Sequence, residues 1–290
     1  MDKFNPFSLA AEKKRPLILD GAMGSELQQA GVPIHKSAWM TLANTDYPDK
    51  VLKIHREYIK AGADIITTNT FRTNPTALSE FSENKQNELL KAALKLAKEA
   101  KGNKRIYIAA SNAPAEDCYQ KDRRITGKEL KFNHHKHISL LNDNGADFIL
   151  NETQSHFDEI RIICEYCSKN GIPYIVSIYL DENLRLLSGE SPAEAIRFIC
   201  EHEPLAIGLN CISPSQFNAV KIDFDYNWGY YLNCGSGNPE DAVIKCGFSA
   251  VNYLSLVKET IKYSPSFIGA CCGSGPEHII KIREYLDGKN

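Results

Sequence analysis

Nine cysteines are spread over the 290-residue chain, and three of them stand where they can do chemistry. Cys211 follows Asn210 at the end of one apolar run, and Cys271 and Cys272 stand side by side at the end of another, just before Gly273. Three thiolates brought together suit zinc, a borderline-soft ion that favours tetrahedral, sulfur-rich sites. Three protein ligands leave the fourth position open to a substrate, the mark of a catalytic site. The alternative is that all three are small buried core residues, and the elements that carry them must decide.

The other candidates are weaker. Cys164 and Cys167 form a C-x-x-C, but late in a helical stretch (158–169) rather than at its start, where a redox pair is activated; core packing is expected. Cys118, Cys200 and Cys246 lack a partner pattern and read as structural. Cys234, beside Asn233, is either a spectator or an alternative ligand. His134-His135-Lys136-His137 lacks the i, i+4 spacing of a helical metal site and reads as solvated histidines ahead of a helix. Gly273-Ser274-Gly275 reads as a sharp turn rather than a phosphate cradle, and His278, after Pro276, as the opening of the last helix.

Eight short apolar, β-rich runs recur along the chain, at 17–20, 64–67, 106–110, 147–151, 174–179, 205–209, 229–232 and 267–270. The stretches between them carry helical spacing, most clearly at 48–61, 84–100 and 192–202. Ala61-Gly62-Ala63-Asp64 and Asn144-Gly145-Ala146-Asp147 each close a helix just before a strand. Repeated β–α units with short connections imply parallel strands, and eight of them predict a single-domain α/β fold over residues 1–290, a (β/α)8 TIM barrel. Chemistry in such barrels sits where strands end. The sixth and eighth runs flank the seventh, so Cys211 can meet Cys271 and Cys272 above it.

Bulk properties narrow the field. Hydrophobic residues make up 43%, charged residues 24%, and the formal net charge is −2, which speaks against a nucleic-acid partner. No apolar stretch approaches the ~20 residues that span a bilayer, and residues 1–6 lack the apolar segment of an export leader. A cytoplasmic protein with reduced cysteines is expected. The basic cluster Glu12-Lys13-Lys14-Arg15 reads as a solvated turn.

Five blocks in order give the chain a family resemblance: Leu19-Asp20-Gly21-Ala22-Met23-Gly24, Ala63-Asp64-Ile65-Ile66-Thr67-Thr68-Asn69-Thr70-Phe71, Phe148-Ile149-Leu150-Asn151-Glu152-Thr153, Ile207-Gly208-Leu209-Asn210-Cys211, and Ile268-Gly269-Ala270-Cys271-Cys272-Gly273 with Pro276-Glu277-His278-Ile279. From about residue 16 to 285 the sequence resembles the homocysteine S-methyltransferase family. The resemblance implies that Cys211, Cys271 and Cys272 ligate zinc, that Asp20 and Glu152 hold the amino group of homocysteine, and that Asn233 can contact zinc before the thiol arrives. It departs from the family at Leu232, usually proline, at Cys234, usually a small residue, at Ser274-Gly275 in place of Thr-Thr, and in the loop Asn112-Ala113-Pro114-Ala115-Glu116-Asp117-Cys118, which keeps little of the family's glycine-rich wording.

The resemblance implies transfer of a methyl group to the homocysteine thiol, giving methionine. By elimination the donor is a sulfonium, S-methylmethionine or S-adenosylmethionine, because the chain has no cobalamin or folate module and is shorter than betaine-using relatives. Trp39, Phe71 and Tyr231 are candidate walls for such a cation. Two other readings remain: a subunit served by a methylcorrinoid or betaine-like donor, and a non-catalytic zinc- or thiol-binding barrel.

Overall fold

A computed structural model describes residues 5–220, 225–236 and 244–289. Residues 1–4, on which part of the expectation about a leader rests, lie outside it. Ten strands are β1 (Leu17–Ile18), β2 (Ile65–Thr67), β3 (Tyr107–Asn112), β4 (Phe148–Gln154), β5 (Tyr174–Ile178), β6 (Ala206–Asn210), β7 (Trp228–Leu232), β8 (Gly235–Ser236), β9 (Lys245–Cys246) and β10 (Phe267–Ala270). The α-helices among the described residues are α1 (Phe7–Lys13), α2 (Met23–Gln29), α3 (Ala43–Asp46), α4 (Pro48–Ala61), α5 (Glu83–Lys101), α6 (Gly127–Asp143), α7 (Phe157–Asn170), α8 (Pro192–Cys200), α9 (Pro214–Ala219), α10 (Ala250–Thr260) and α11 (Pro276–Leu286).

Eight strands form one parallel sheet in the order β1-β10-β7-β6-β5-β4-β3-β2. The sheet closes on itself: Asp64 N–H donates to the Ile18 carbonyl at 2.7 Å and Asp20 N–H to the Ile65 carbonyl at 3.0 Å, so β1 meets β2. This is the expected (β/α)8 barrel. Only β8 and β9 stand apart, as a short antiparallel hairpin. Among the described residues, no helix is long and apolar enough to cross a membrane.

Alternation along the strands divides the core. Leu17, Leu19, Ile65, Ala109, Phe148, Leu150, Ile175, Ala206, Tyr231 and Phe267 pack together as one cluster, with Phe7 and Leu9 of α1 joining them. Phe7 stacks on Phe267 at 6.2 Å, so α1 plugs the end of the barrel where strands begin. The opposite faces of the strands pack on the helices, whose apolar positions Val51, Ile54, Tyr58, Leu90, Leu94, Ile138 and Ile163 recur at helical spacing. Cys164 and Cys167 belong to this layer, fully buried in α7, as expected.

At the strand-start end, carboxylates staple neighbouring strands. Asp64 accepts the Ile18 N–H at 3.0 Å and Asp147 the Ile108 N–H at 2.7 Å. Asp64 also binds Lys13 and Arg15, and Asp147 binds Lys101 at 3.0 Å. Burial raises the Asp64 carboxyl, but the two cations and the Ile18 N–H outweigh it and hold it below the ordinary range. The expectation of a solvated turn at 12–15 is therefore corrected. Arg15 is largely buried against Asp64, because a buried carboxylate at a strand start needs a partner.

The histidine cluster is also corrected. It lies inside α6, not ahead of a helix, and His134 and His137 are fully buried. His134 Nε2 meets Glu159 at 2.7 Å, and Glu159 also binds Arg123 at 2.6 Å and accepts the Ala115 N–H at 3.0 Å. His137 bridges Asn112 Oδ1 at 2.7 Å and Thr73 Oγ1 at 2.8 Å. These partners come from distant segments, which is why burial was invisible in the local spacing. Cys246, expected to be structural, is exposed in the hairpin.

Burial alone would raise the Glu159 carboxyl, yet His134 and Arg123 bring it down to about 2. A depressed carboxyl contributes stability above its unfolded value and loses it as pH falls through its folded value. Urea unfolding should therefore show roughly 3 kcal/mol of stability lost as pH falls from above 4.5 towards 2. In Glu159→Gln the protein should be weaker by several kcal/mol at pH 7 and its acid loss should shrink; an unchanged acid profile would count against this assignment.

Candidate active site

The end of the barrel where strands finish holds a cavity of about 600 Å3. Its walls come from the loops after β1, β2 and β3, and its lining includes Asp20, Thr67, Ser111, Glu152, Cys211, Tyr231, Cys271 and Cys272. Five of the six residues singled out for site roles therefore share one cavity. Asn233 is not among the lining residues: its Oδ1 accepts the Gly235 N–H at 2.7 Å. The Cys234 thiol is buried and turned to the Leu232 carbonyl at 3.7 Å.

Cys211 owes its position to a local distortion of two strands. It stands just past β6 at φ +58°, and Thr153 in β4 stands at φ +57°. Left-handed backbone costs a residue with a Cβ of the order of 1–3 kcal/mol and persists only where the surroundings enforce it. Here they do. Asn210 Oδ1 accepts the Thr153 N–H and Asn210 Nδ2 donates to Thr153 Oγ1, both at 2.8 Å. The β4–β5 register shifts between Asn151 and Gln154, and this irregularity contains Glu152. One pair of side-chain hydrogen bonds thus orders both the cysteine turn and the bulge beside the glutamate.

Cys271 and Cys272 follow β10. Cys271 N–H donates to the Leu232 carbonyl at 2.8 Å, Cys234 N–H to the Cys272 carbonyl at 2.8 Å, and Cys211 N–H to the Tyr231 carbonyl at 3.1 Å. The turn needs Gly273, at φ +77°: a Cβ there would lie 2.7 Å from the Gly235 backbone. Ser274 Oγ then accepts the Ala22 N–H at 3.1 Å, locking this turn to the loop that carries Asp20.

The three sulfurs converge. Cys211 Sγ lies 3.1 Å from Cys271 Sγ and 3.6 Å from Cys272 Sγ, and the latter two are 3.9 Å apart. Metal–sulfur bonds of about 2.3 Å at the tetrahedral angle place sulfurs about 3.8 Å apart, so small shifts accommodate one ion. Among the described residues, these three form the group able to hold a metal. Hydrogen bonds from Cys271 and Cys272 hold the Cys211 thiol well below its ordinary value, and engaging in those same bonds, together with burial, pushes the other two up.

The carboxyls are equally placed. Asp20, just past β1, accepts the Thr67 N–H at 2.7 Å and the Thr67 hydroxyl at 2.9 Å. Glu152 accepts from the Ser111 hydroxyl. Burial raises Asp20 to about 8, partly offset by Thr67 and reinforced by Glu152. Burial likewise raises Glu152 to about 7, with Ser111 opposing and Cys211 reinforcing. Among the described residues neither acid is in an ion pair, and two buried acids so placed can pair with a cationic group.

Aromatic side chains line the upper walls. Trp39 and Phe71 meet edge to face at 6.0 Å, and Trp39 lies over Gly24, where a Cβ would fall 2.0 Å from the indole. Tyr231 lines the cavity too, so all three anticipated wall residues are present. The sequence reading missed Tyr119. Its hydroxyl lies 3.4 Å from Cys211 Sγ, and its only sequence signal was its place in the unusual loop after β3.

The model of the homocysteine S-methyltransferase family matches residues 17–286. The chain belongs to this family. Among curated family members it is 25% identical to homocysteine S-methyltransferase YbgG of Bacillus subtilis, over 97% of this chain and 98% of that one. It is 23% identical to homocysteine S-methyltransferase 2 of Arabidopsis thaliana, over 93% and 92%. The homocysteine methyltransferase MmuM from Escherichia coli, solved in a metallated form, shares the fold with a TM-score of 0.79 at 21% identity, covering 96% of this chain and all of that one. Residues of these motifs, among them Asp20, Thr67, Glu152, Cys211, Cys271 and Cys272, line the cavity.

Loss of the Asn210 clamp should be measurable. Asn210→Ala leaves the buried Thr153 N–H without its acceptor and should cost about 1–3 kcal/mol in urea unfolding; a loss within 0.5 kcal/mol would show that the left-handed turns hold without it.

Proposed function

We propose that this enzyme transfers a methyl group from a sulfonium donor to the thiol of homocysteine held at a zinc site, giving methionine. The observation that carries this reading is the three-sulfur cluster sharing one cavity with two buried carboxyls. The proposed ligands are Cys211, Cys271 and Cys272. Zinc, when bound, supplies a Lewis acid that favours the acceptor's sulfur as thiolate at neutral pH. Residues 1–290 act as one homocysteine-binding barrel domain on this reading, in line with the family match over residues 17–286.

The chain's own residues do the positioning. Asp20 and Glu152 pair with the acceptor's ammonium group. Thr67 and Ser111 fix those carboxyls in turn, so the amino acid enters with its side chain directed to the cysteines. Holding reactants in attack geometry supplies much of a bimolecular rate. The Trp39–Phe71 corner is where a positively charged donor would meet aromatic rings, with the Arg72 guanidinium already lying over Phe71 at 5.6 Å, and the 600 Å3 cavity is of a size that holds small ligands. The thiolate attacks the methyl carbon in line, and the donor leaves as a neutral thioether. Asn233, hydrogen-bonded to Gly235, would have to turn to reach a metal.

Zinc analysis of anaerobically purified protein should give about one ion per chain, largely lost in Cys211→Ser, and the wild type should form methionine from homocysteine and S-methylmethionine. Zinc without turnover on S-methylmethionine or S-adenosylmethionine would sink the sulfonium donor, and a gain on adding methylcobalamin would favour a corrinoid-served enzyme.

A second outcome follows from the raised carboxyls. Methionine has no thiol proton, yet its ammonium should draw Asp20 and Glu152 into their charged forms, so its binding near pH 7 should release protons. Calorimetry in buffers of different ionisation enthalpy reads this directly. Proton release that persists undiminished in both Asp20→Asn and Glu152→Gln would remove the carboxyls from the binding site.

A further inference from the structure

A methyl donor is an electrophile that does not distinguish one sulfur anion from another. The cavity holds three sulfurs of the chain itself beside the place an acceptor's sulfur must take. Directing the methyl group therefore requires the chain's own sulfurs to be poorer nucleophiles than the acceptor. Resting on the reading above, we propose that Tyr119 masks Cys211: its hydroxyl donates a hydrogen bond to the Cys211 sulfur, withdraws charge from it and steers alkylation away from the enzyme.

The geometry supports this assignment. Tyr119 Oη lies 3.4 Å from Cys211 Sγ, and a ligating thiol carries no proton, so the tyrosine is the donor. Among the described residues, no side chain outside the cysteine trio other than Tyr119 makes a hydrogen bond to a sulfur of the cluster. Cys211 borders the cavity, so it is within reach of whatever reacts there.

The loop is built to hold this contact. Ala115 N–H is anchored on buried Glu159 at 3.0 Å, Arg72 donates to the Glu116 carbonyl at 2.7 Å, and Tyr119 N–H is held by Asp117 at 2.9 Å. The Tyr119 ring packs edge-on against Tyr179 at 5.2 Å. The buried network through His134 and Arg123 thus anchors the start of the loop that carries Tyr119.

The test uses zinc-loaded wild type and Tyr119→Phe with iodoacetamide, which forms a sulfur–carbon bond as the carbon–iodine bond breaks and iodide leaves. Peptide mass mapping locates the modified cysteine, and zinc is measured in parallel. Tyr119→Phe should be alkylated at Cys211 at least about tenfold faster than wild type, with zinc content unchanged and no matching rise at Cys271 or Cys272. With S-methylmethionine and no homocysteine, the variant should gain a methyl group at Cys211 as the donor's carbon–sulfonium bond breaks and methionine leaves. Equal rates, a rise shared by all three cysteines, or a rise that accompanies zinc loss would overturn the inference. Cys211 reactivity unchanged in Tyr119→Phe, while the wild type binds zinc and makes methionine, defeats only this inference, whereas a wild type that binds no zinc defeats the functional reading as well.

Discussion

Two 2.8 Å hydrogen bonds between Asn210 and Thr153 underlie the arrangement of the whole cavity floor. They join strands β4 and β6 across β5 and enforce left-handed backbone at two residues that otherwise avoid it. The pair braces both the turn that carries Cys211 and the bulge that contains Glu152. Strain stored at a strand end is the means by which a regular barrel presents an irregular set of groups.

The two ends of the barrel handle buried charge in opposite ways. At the strand starts, Asp64 and Asp147 are bonded to strand N–H groups and matched with Arg15, Lys13 and Lys101; these carboxylates are satisfied and structural. At the strand ends, Asp20 and Glu152 have hydrogen-bond donors but no cation, and burial keeps both titrating near neutrality. The same residue type thus sits in matched ion pairs at one end and without an ion pair, among the described residues, at the other. The difference lies in the partner, which the residue alone does not disclose.

That distinction explains what was legible in the sequence. All eight barrel strands were readable from apolar runs and small-residue punctuation, because parallel strands buried on both faces leave a local signature. Cys211, Cys271 and Cys272 could be brought together on paper because strand ends in a barrel converge, whereas Asp20 and Glu152 were singled out only by the family resemblance; all five line one cavity. His134 and His137 were not, since their partners Glu159, Asn112 and Thr73 come from other segments. Arg15 was misread for the same reason, its partner Asp64 lying across the barrel seam. Tyr119 was silent because a loop with no period carries no pattern.

The placement of the sulfurs has a further consequence. Cys211, Cys271 and Cys272 all lie on the β6–β7–β10 side, whereas Trp39, Phe71 and Tyr119 come from loops after β1, β2 and β3. The sequence departs from its family's wording most in the loop after β3. A barrel divided in this way can exchange the loops of one half while the other keeps its sulfurs in register. Diversification in such a barrel can fall on the walls while the strands that carry the sulfurs keep their register.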